Sequence, residues 1–252
     1  MSNRLFFLSF CISAFLSCSS PPKLINKEAL PVKLTEQYKD QEDEDIKKFI
    51  LPFSDSLGKT MNEVLITSAQ PLTKDQPESL LGNFVADIVF KRAYEKYKQM
   101  GGDKIDMCVL NNGGLRTSLP EGNITTGKLF ELMPFENEMV VLSLSGEKMQ
   151  DLFNYIAATG GVPVSNIKLG IRDARAHSIK INKEEFDINK SYKVLTSDYL
   201  STGGDKMNFF KDPLKTEVIK YRIRDALIDE MRIQGSLGKK LVVNLDGRIY
   251  HE

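Results

Sequence analysis

Apolar and polar positions alternate in several distinct rhythms along the chain. Leu5 to Leu16 is an almost unbroken apolar run behind a single basic residue, Arg4. It is too short for a membrane span and has the length of a signal-peptide core. Residues 19–43 are polar, charged and punctuated by proline. Helical spacing then begins, with Ile46, Phe49, Ile50, Phe53 and Leu57 recurring on one face. The acidic "EDED", Glu42 to Asp45, suits the positive end of that helix. A second helix carries Leu81, Val85, Ile88 and Val89 on one face, and Asp75 or Pro77 marks its start. "IDMCVL" reads as a buried strand. A short helix, a turn and a strand over Met139–Ser143 follow, and Ser145 caps a helix that turns Leu152 and Ile156 inward. Strands are predicted near Ile167–Ile171, His177–Ile181 and in "SYKVLTSDYL". A helix from Thr216 to about Arg232 and a terminal hairpin turning at Asp246-Gly247 close the chain. The mixture predicts one α/β domain with mixed sheets.

Composition narrows the class. The chain has 252 residues, with Lys+Arg and Asp+Glu equal at 34 each, so no basic face is implied and no nucleic-acid partner is expected. The leader ends in "FLSC". Cysteine after small residues at this point resembles a bacterial lipoprotein box, with cleavage before Cys18 and lipid on its thiol. An ordinary secretory signal is the other reading. The organisation expected is a signal over 1–18, a tether over 19–43 and a domain over 44–252. A flexible tether of that length spans about 30 Å. Beyond Cys18 only Cys108 remains, so no disulfide forms within the domain, and "MCVL" places it in a buried strand.

Three loops carry the candidate chemistry. Asn111-Asn112-Gly113-Gly114-Leu115-Arg116 follows the "IDMCVL" strand. Its glycines let backbone amides approach a ligand, and Arg116 offers a planar fork to a phosphate or carboxylate. Pro134-Phe135-Glu136-Asn137 sets an aromatic beside an amide. Tyr199 precedes Gly203, Gly204 and Asp205, joining a ring to an acid across paired glycines. Singly, each has the bland reading of a glycine turn or a core aromatic.

Taken in order, "ESLLGNFVADIVF", "LNNGGLRTSLPEGNITTGKLFELMPFENEMVVLSLSGEKMQDLF" and "YKVLTSDYLSTGGDKMNFF" resemble the C-terminal domain of the 5′-nucleotidases, over about Glu44 to Arg248. The resemblance implies an α+β fold, a layered sandwich of mixed sheets with flanking helices. In that family an N-terminal metallophosphatase domain holds the metals, and the C-terminal domain binds the nucleoside. The resemblance puts Asn111 and Arg116 at the ribose and phosphate. It makes Phe135 and Tyr199 the two rings of a base clamp. Asn137 becomes a base-contacting amide, and Asp205 the acceptor of ribose hydroxyls. Gly113, Gly114, Gly203 and Gly204 shape the loops. Stacking contributes roughly 1–3 kcal/mol per base contact.

Three departures stand out. Asn112 replaces a glycine of the family's loop, adding a Cβ where glycine leaves positive φ open to the backbone. Tyr199 replaces the usual phenylalanine and adds a hydroxyl. Pro77 stands five residues before Gly82, where many relatives carry a phosphate-contacting arginine. Gly82, Asn83 and Asp87 share a family pattern and are read as packing and loop anchors. The only two histidines are His177 and His251, with no Asp-x-His or Gly-Asn-His motif. No catalytic residue and no metal ligand is therefore expected in this chain, and divalent metals belong on a partner. The resulting expectation is the nucleotide-recognition part of a 5′-nucleotidase-type hydrolase. It would act in nucleotide catabolism with a metallophosphatase on a separate chain. The alternative is a surface lipoprotein that binds nucleosides or nucleotides without hydrolysis. Either is expected in the bacterial cell envelope, lipid-anchored, in the periplasm or on the outer-membrane surface.

Overall fold

The computed structural model describes residues 43–252. The expected signal, Cys18 and the tether lie outside the described residues, apart from Asp43. The chain divides into two units, residues 1–50 and 51–252. Helix α1, Glu44–Met61, begins in the first and ends in the second. Asp43 caps it: its carboxylate accepts from the Asp45 and Ile46 amides at 2.9 and 3.1 Å. No side chain of this helix is buried.

In the second unit β1 (Val64–Ser68) leads to α2 (Leu80–Gln99). Strand β2 (Met107–Val109), β3 (Gly122–Thr125), α3 (Thr126–Leu132), β4 (Glu138–Ser145) and α4 (Gly146–Ala158) follow. Then come β5 (Val164–Ser165), β6 (Ile167–Arg172), β7 (Arg175–Ile181), β8 (Glu184–Glu185) and β9 (Ser191–Ser197). The last elements are α5 (Asp198–Ser201), β10 (Lys215–Arg222), α6 (Ile223–Ser236), β11 (Lys240–Leu241) and β12 (Ile249–His251). They form three mixed sheets, ordered β11-β1-β3, β10-β4-β9-β2-β5 and β12-β6-β7-β8. This is the α+β arrangement expected from the sequence.

The inner strands of the five-stranded sheet, β2, β4 and β9, are buried on both faces, while edge strand β10 is largely exposed. Alternate residues along β2, β4 and β9 fall into two separate cores. Cys108, Met139, Val141 and Leu195 join the core with α2 and α6. Met107, Val109, Val140, Leu142 and Val194 join the core with α4 and β6. A sheet covered on both sides reads as a continuous apolar run, which explains "IDMCVL". Burial pushes the Cys108 thiol well above its usual range, so it is an inert core residue.

Several expectations are corrected. The second helix is capped by Ser79, whose hydroxyl accepts from the Gly82 amide, and not by Asp75 or Pro77. Residues 215–222 are strand β10 paired with β4, and the helix begins only at Ile223. The strand "SYKVLTSDYL" ends at Ser197, which caps the short helix α5. The terminal hairpin does not form. Strand β11 pairs in parallel with β1, and β12 pairs in parallel with β6, in a different sheet. The chain bends at Arg248, with Gly247 at φ 70 and the Arg248 amide donating to the Asp246 carboxylate at 3.1 Å. The Asp246 and Gly247 amides are held by the Glu78 carboxylate at 2.9 Å each.

Gly82, Asn83 and Asp87 act as the expected anchors. Asn83 donates to Glu78 at 2.6 Å and to the Asn244 carbonyl at 3.1 Å. Asp87 accepts from Ser165 at 2.6 Å and from both terminal nitrogens of Arg248 at 2.7 and 2.9 Å. A Cβ on Gly82 would stand 2.7 Å from the Ser79 hydroxyl. Helix α2 thus fastens the C-terminal segment to the sheet.

Candidate functional site

Strands β2 and β9 are parallel neighbours, with Met107 opposite Val194 and Cys108 opposite Leu195. Their C-terminal ends therefore lie on the same edge of the sheet, where loops gather ligand-facing groups. Strand β4 is antiparallel to β9, so its N-terminal end reaches that edge too. The Asn111–Arg116 loop leaves β2, the Tyr199–Asp205 loop leaves β9, and Pro134–Asn137 enters β4. The topology alone brings the three motifs together. They line one cleft of about 300 Å³, whose walls are Asn111, Gly113, Gly114, Arg116, Phe135, Asn137, Tyr199 and Asp205. Phe135 and Tyr199 are exposed by 44% and 47%, unusual for aromatics at the end of a buried sheet.

The polar floor is tied together. Asn111 Nδ2 donates to Asp205 Oδ2 at 2.5 Å, and the Tyr199 hydroxyl donates to Asp205 Oδ1 at 3.0 Å. The Tyr155 hydroxyl, from α4, donates to the Asp205 carbonyl at 2.9 Å. Burial raises the Tyr155 pKa, and the charge of Asp205 raises it further, so this hydroxyl stays a donor. Asp205 adopts φ 51, in the left-handed region. Gly204 has no space for a Cβ, which would lie 2.6 Å from the Tyr199 ring. Gly114 is similarly closed, with the Asn111 amide oxygen 2.9 Å from where a Cβ would be. Arg116 is exposed, and its side chain makes one long bond at 3.5 Å to the Gly113 carbonyl.

Asn112 does not adopt positive φ. Residues 112–114 form one turn of 3-10 helix, and Asn112 Nδ2 donates to the Gly161 carbonyl at 3.0 Å. The side chain that departs from the family pattern is a strut between this loop and the segment after α4. Pro77 packs against the same segment: a Cβ on Gly161 would stand 2.0 Å from its carbonyl.

Sequence reading missed Arg224. It is 3% exposed, and one guanidinium nitrogen donates to the Met133 and Phe135 carbonyls at 3.2 and 3.3 Å. It also pairs with Glu136 and lies 4.0 Å over the Phe130 ring. The hydrogen bond from Arg224 holds the Glu136 carboxyl below its usual range. One buried cation thus shapes the whole Phe135 loop. A basic residue opening a helix carries no local sign of this role.

Among the described residues, no three His, Cys, Asp or Glu side chains gather as a metal-binding group. His177 sits in β7, 3.0 Å from Arg172, and His251 is exposed in β12. This donor set does not fit a dinuclear metal centre. No helix among the described residues is long and apolar enough to cross a membrane.

Fold and cleft together define a two-cored α+β domain with three loops gathered at one sheet edge. Residues 56–212 match the family described as 5′-nucleotidase, C-terminal domain, and the chain belongs to that family. It is 28% identical over 188 residues to the trifunctional nucleotide phosphoesterase protein YfkN of Bacillus subtilis, covering 68% of this chain and 12% of that protein. It is 25% identical to the cell wall protein Lmo0130 of Listeria monocytogenes, covering 77% of this chain and 26% of that one. The 5′-nucleotidase precursor of Thermus thermophilus has the same fold, with a TM-score of 0.68 at 22% identity over 83% of this chain and 43% of that one. The chain therefore spans less than half the length of each of these proteins.

Proposed function

We propose that the cleft binds the base and ribose of a nucleotide and presents its phosphate to a metallophosphatase domain outside these 252 residues. The observation that carries this reading is the convergence of two half-exposed rings, Phe135 and Tyr199, with Asp205 on one cleft. Rings of that kind stack a base with little preference among bases. A carboxylate accepts from a vicinal diol, and Arg116 at the rim suits a phosphate. In the same reading Asn111 contacts the ribose and Asn137 the base edge. The match to far longer phosphoesterases supports a catalytic domain elsewhere. The leader ending in Cys18 and the likeness to a cell wall protein support a site in the bacterial envelope, with lipid as the anchor.

Titration calorimetry with adenosine, AMP and a UDP-sugar tests it. Binding is expected, and Phe135→Ala and Tyr199→Ala should each weaken it by about tenfold or more. Absence of heat with all three ligands overturns the reading. Incubated with AMP and divalent metals, the purified chain should release no phosphate. Metal-dependent release that a substitution in the cleft abolishes would contradict the assignment of catalysis to another domain.

Pro77 favours a second reading, capture of nucleosides without hydrolysis, because it leaves Arg116 as the single expected phosphate contact. Equal affinity for adenosine and AMP would support capture. Tighter AMP binding that Arg116→Ala abolishes would support presentation.

A further inference from the structure

Tyr199 carries a hydroxyl that base stacking does not need. In the structure this hydroxyl has two partners on one residue. It donates to Asp205 Oδ1 at 3.0 Å and accepts from the Asp205 backbone amide at 3.3 Å. The phenol therefore closes a ring across the seven residues from Tyr199 to Asp205.

Asp205 needs such restraint. It sits at φ 51, a conformation that a non-glycine residue keeps only where the surroundings enforce it. Gly203, at φ 93, and Gly204, pressed against the Tyr199 ring, let the chain turn there. The Tyr155 hydroxyl holds the carbonyl, and the Tyr199 hydroxyl holds the amide and the carboxylate. Asn111 holds the other carboxylate oxygen. An ionised carboxylate has about four lone-pair sites, so about two remain for a ligand. A diol presents two donors. The same phenol fixes the plane of the ring on which a base would rest.

We infer that the Tyr199 hydroxyl is a positioning group that aims the Asp205 carboxylate at a vicinal diol and so sets selectivity for ribose over sugars lacking those hydroxyls. This inference rests on the nucleoside reading of the cleft. Tyr199 acts twice: its ring stacks, and its hydroxyl reaches the sugar through Asp205. With phenylalanine here, stacking survives while the carboxylate loses its donor and its backbone brace.

The test compares adenosine with 2′,3′-dideoxyadenosine, which keeps the base and lacks the diol. Affinities are measured for the full chain, Tyr199→Phe, Asp205→Asn and the double variant. The wild type should prefer adenosine by about tenfold or more, as expected for charge-assisted bonds. Tyr199→Phe should cut that preference by about tenfold and leave dideoxyadenosine affinity within about twofold. Asparagine tolerates the left-handed region, so Asp205→Asn should fold. In that background Tyr199→Phe should change the preference no further, which a general loosening of the loop would not reproduce. An unchanged or increased preference in Tyr199→Phe overturns the inference and leaves the nucleoside reading intact. A wild type that binds neither ligand overturns both. Equal binding of the two by the wild type overturns this inference alone.

Discussion

Asn111 and Asp205 are 94 residues apart in sequence, and a 2.5 Å bond from Nδ2 to Oδ2 joins them. The bond ties the loops after two adjacent parallel strands, so the separation of those loops is set by backbone pairing one layer below. Asn111→Ala should remove that tie and leave the Asp205 carboxylate with the Tyr199 phenol alone. Hydrogen bonds to charged groups contribute about 1.5–3 kcal/mol, and exposure to solvent brings this one below that range. The expected result is a loss of about 1 kcal/mol in denaturant unfolding and about tenfold or more weaker adenosine binding by calorimetry.

Asn112→Gly restores the residue that the family pattern shows at this position, and it should weaken the protein. The side-chain bond to the Gly161 carbonyl is lost, and the backbone needs no glycine there. A decrease of about 1 kcal/mol is expected from urea unfolding. Stabilisation would contradict the strut role.

Gly204→Ala meets the Tyr199 ring 2.6 Å from its new methyl and the Tyr199 carbonyl 2.7 Å away. The backbone cannot yield without displacing the phenol. A loss of about 1–3 kcal/mol is expected, together with abolished nucleoside binding. Gly101→Ala is a useful contrast, since its methyl would meet nothing within 4 Å, although its φ of 84 carries its own strain. Thermal melts and calorimetry on the pair should show binding lost only in the first.

Arg224→Lys keeps the charge but cannot reproduce a planar fork on two carbonyls and a carboxylate. Stability should fall by about 2 kcal/mol, because buried acceptors lose their partner. Ligand affinity should fall as well, with Phe135 no longer fixed. Melting curves and titrations of the same sample would show both changes.

Alkaline stability should depend on Tyr221. Burial, and then its 2.6 Å bond to Asp229, push this phenol up to about 12. A tyrosine in the unfolded chain titrates near its reference value of about 10. The folded state therefore holds the proton more tightly, and this stabilising contribution is complete below about pH 10. It declines as pH rises from there through about 12. Tyr221→Phe should unfold with a shallower dependence on pH across that window, as followed by urea denaturation at each pH. An unchanged slope would count against it.

The cleft was legible because its residues announce themselves. Glycine pairs, an arginine and two aromatics stand at the ends of apolar runs, and the order of the motifs matches a family. Strand direction, which decides that the three loops share an edge, has no local signature. Strand β10 reads as helix because Ile219, Ile223 and Leu227 keep helical spacing straight through the true boundary. Arg222 caps α6 without a side-chain bond, so no capping residue marks the start. A positive φ at Lys220 and a register shift between Val218 and Arg222 make the end of the strand irregular, and neither has a local sign in the sequence. The missing hairpin has the same origin. Asp246-Gly247 has the residues of a turn, but Glu78 on the approach to α2 holds both amides, and the flanking segments join different sheets.

The two cores on either side of the five-stranded sheet have a consequence for the width of this cleft. The Phe135 loop is rooted in one core through Met133 and Met139. The Tyr199 loop is rooted in the other through Leu200, Met207 and Phe210. The gap between the rings is thus a gauge set by the thickness of packing beneath each of them. A methylene added or removed far below the surface would shift that spacing while every cleft residue stays the same.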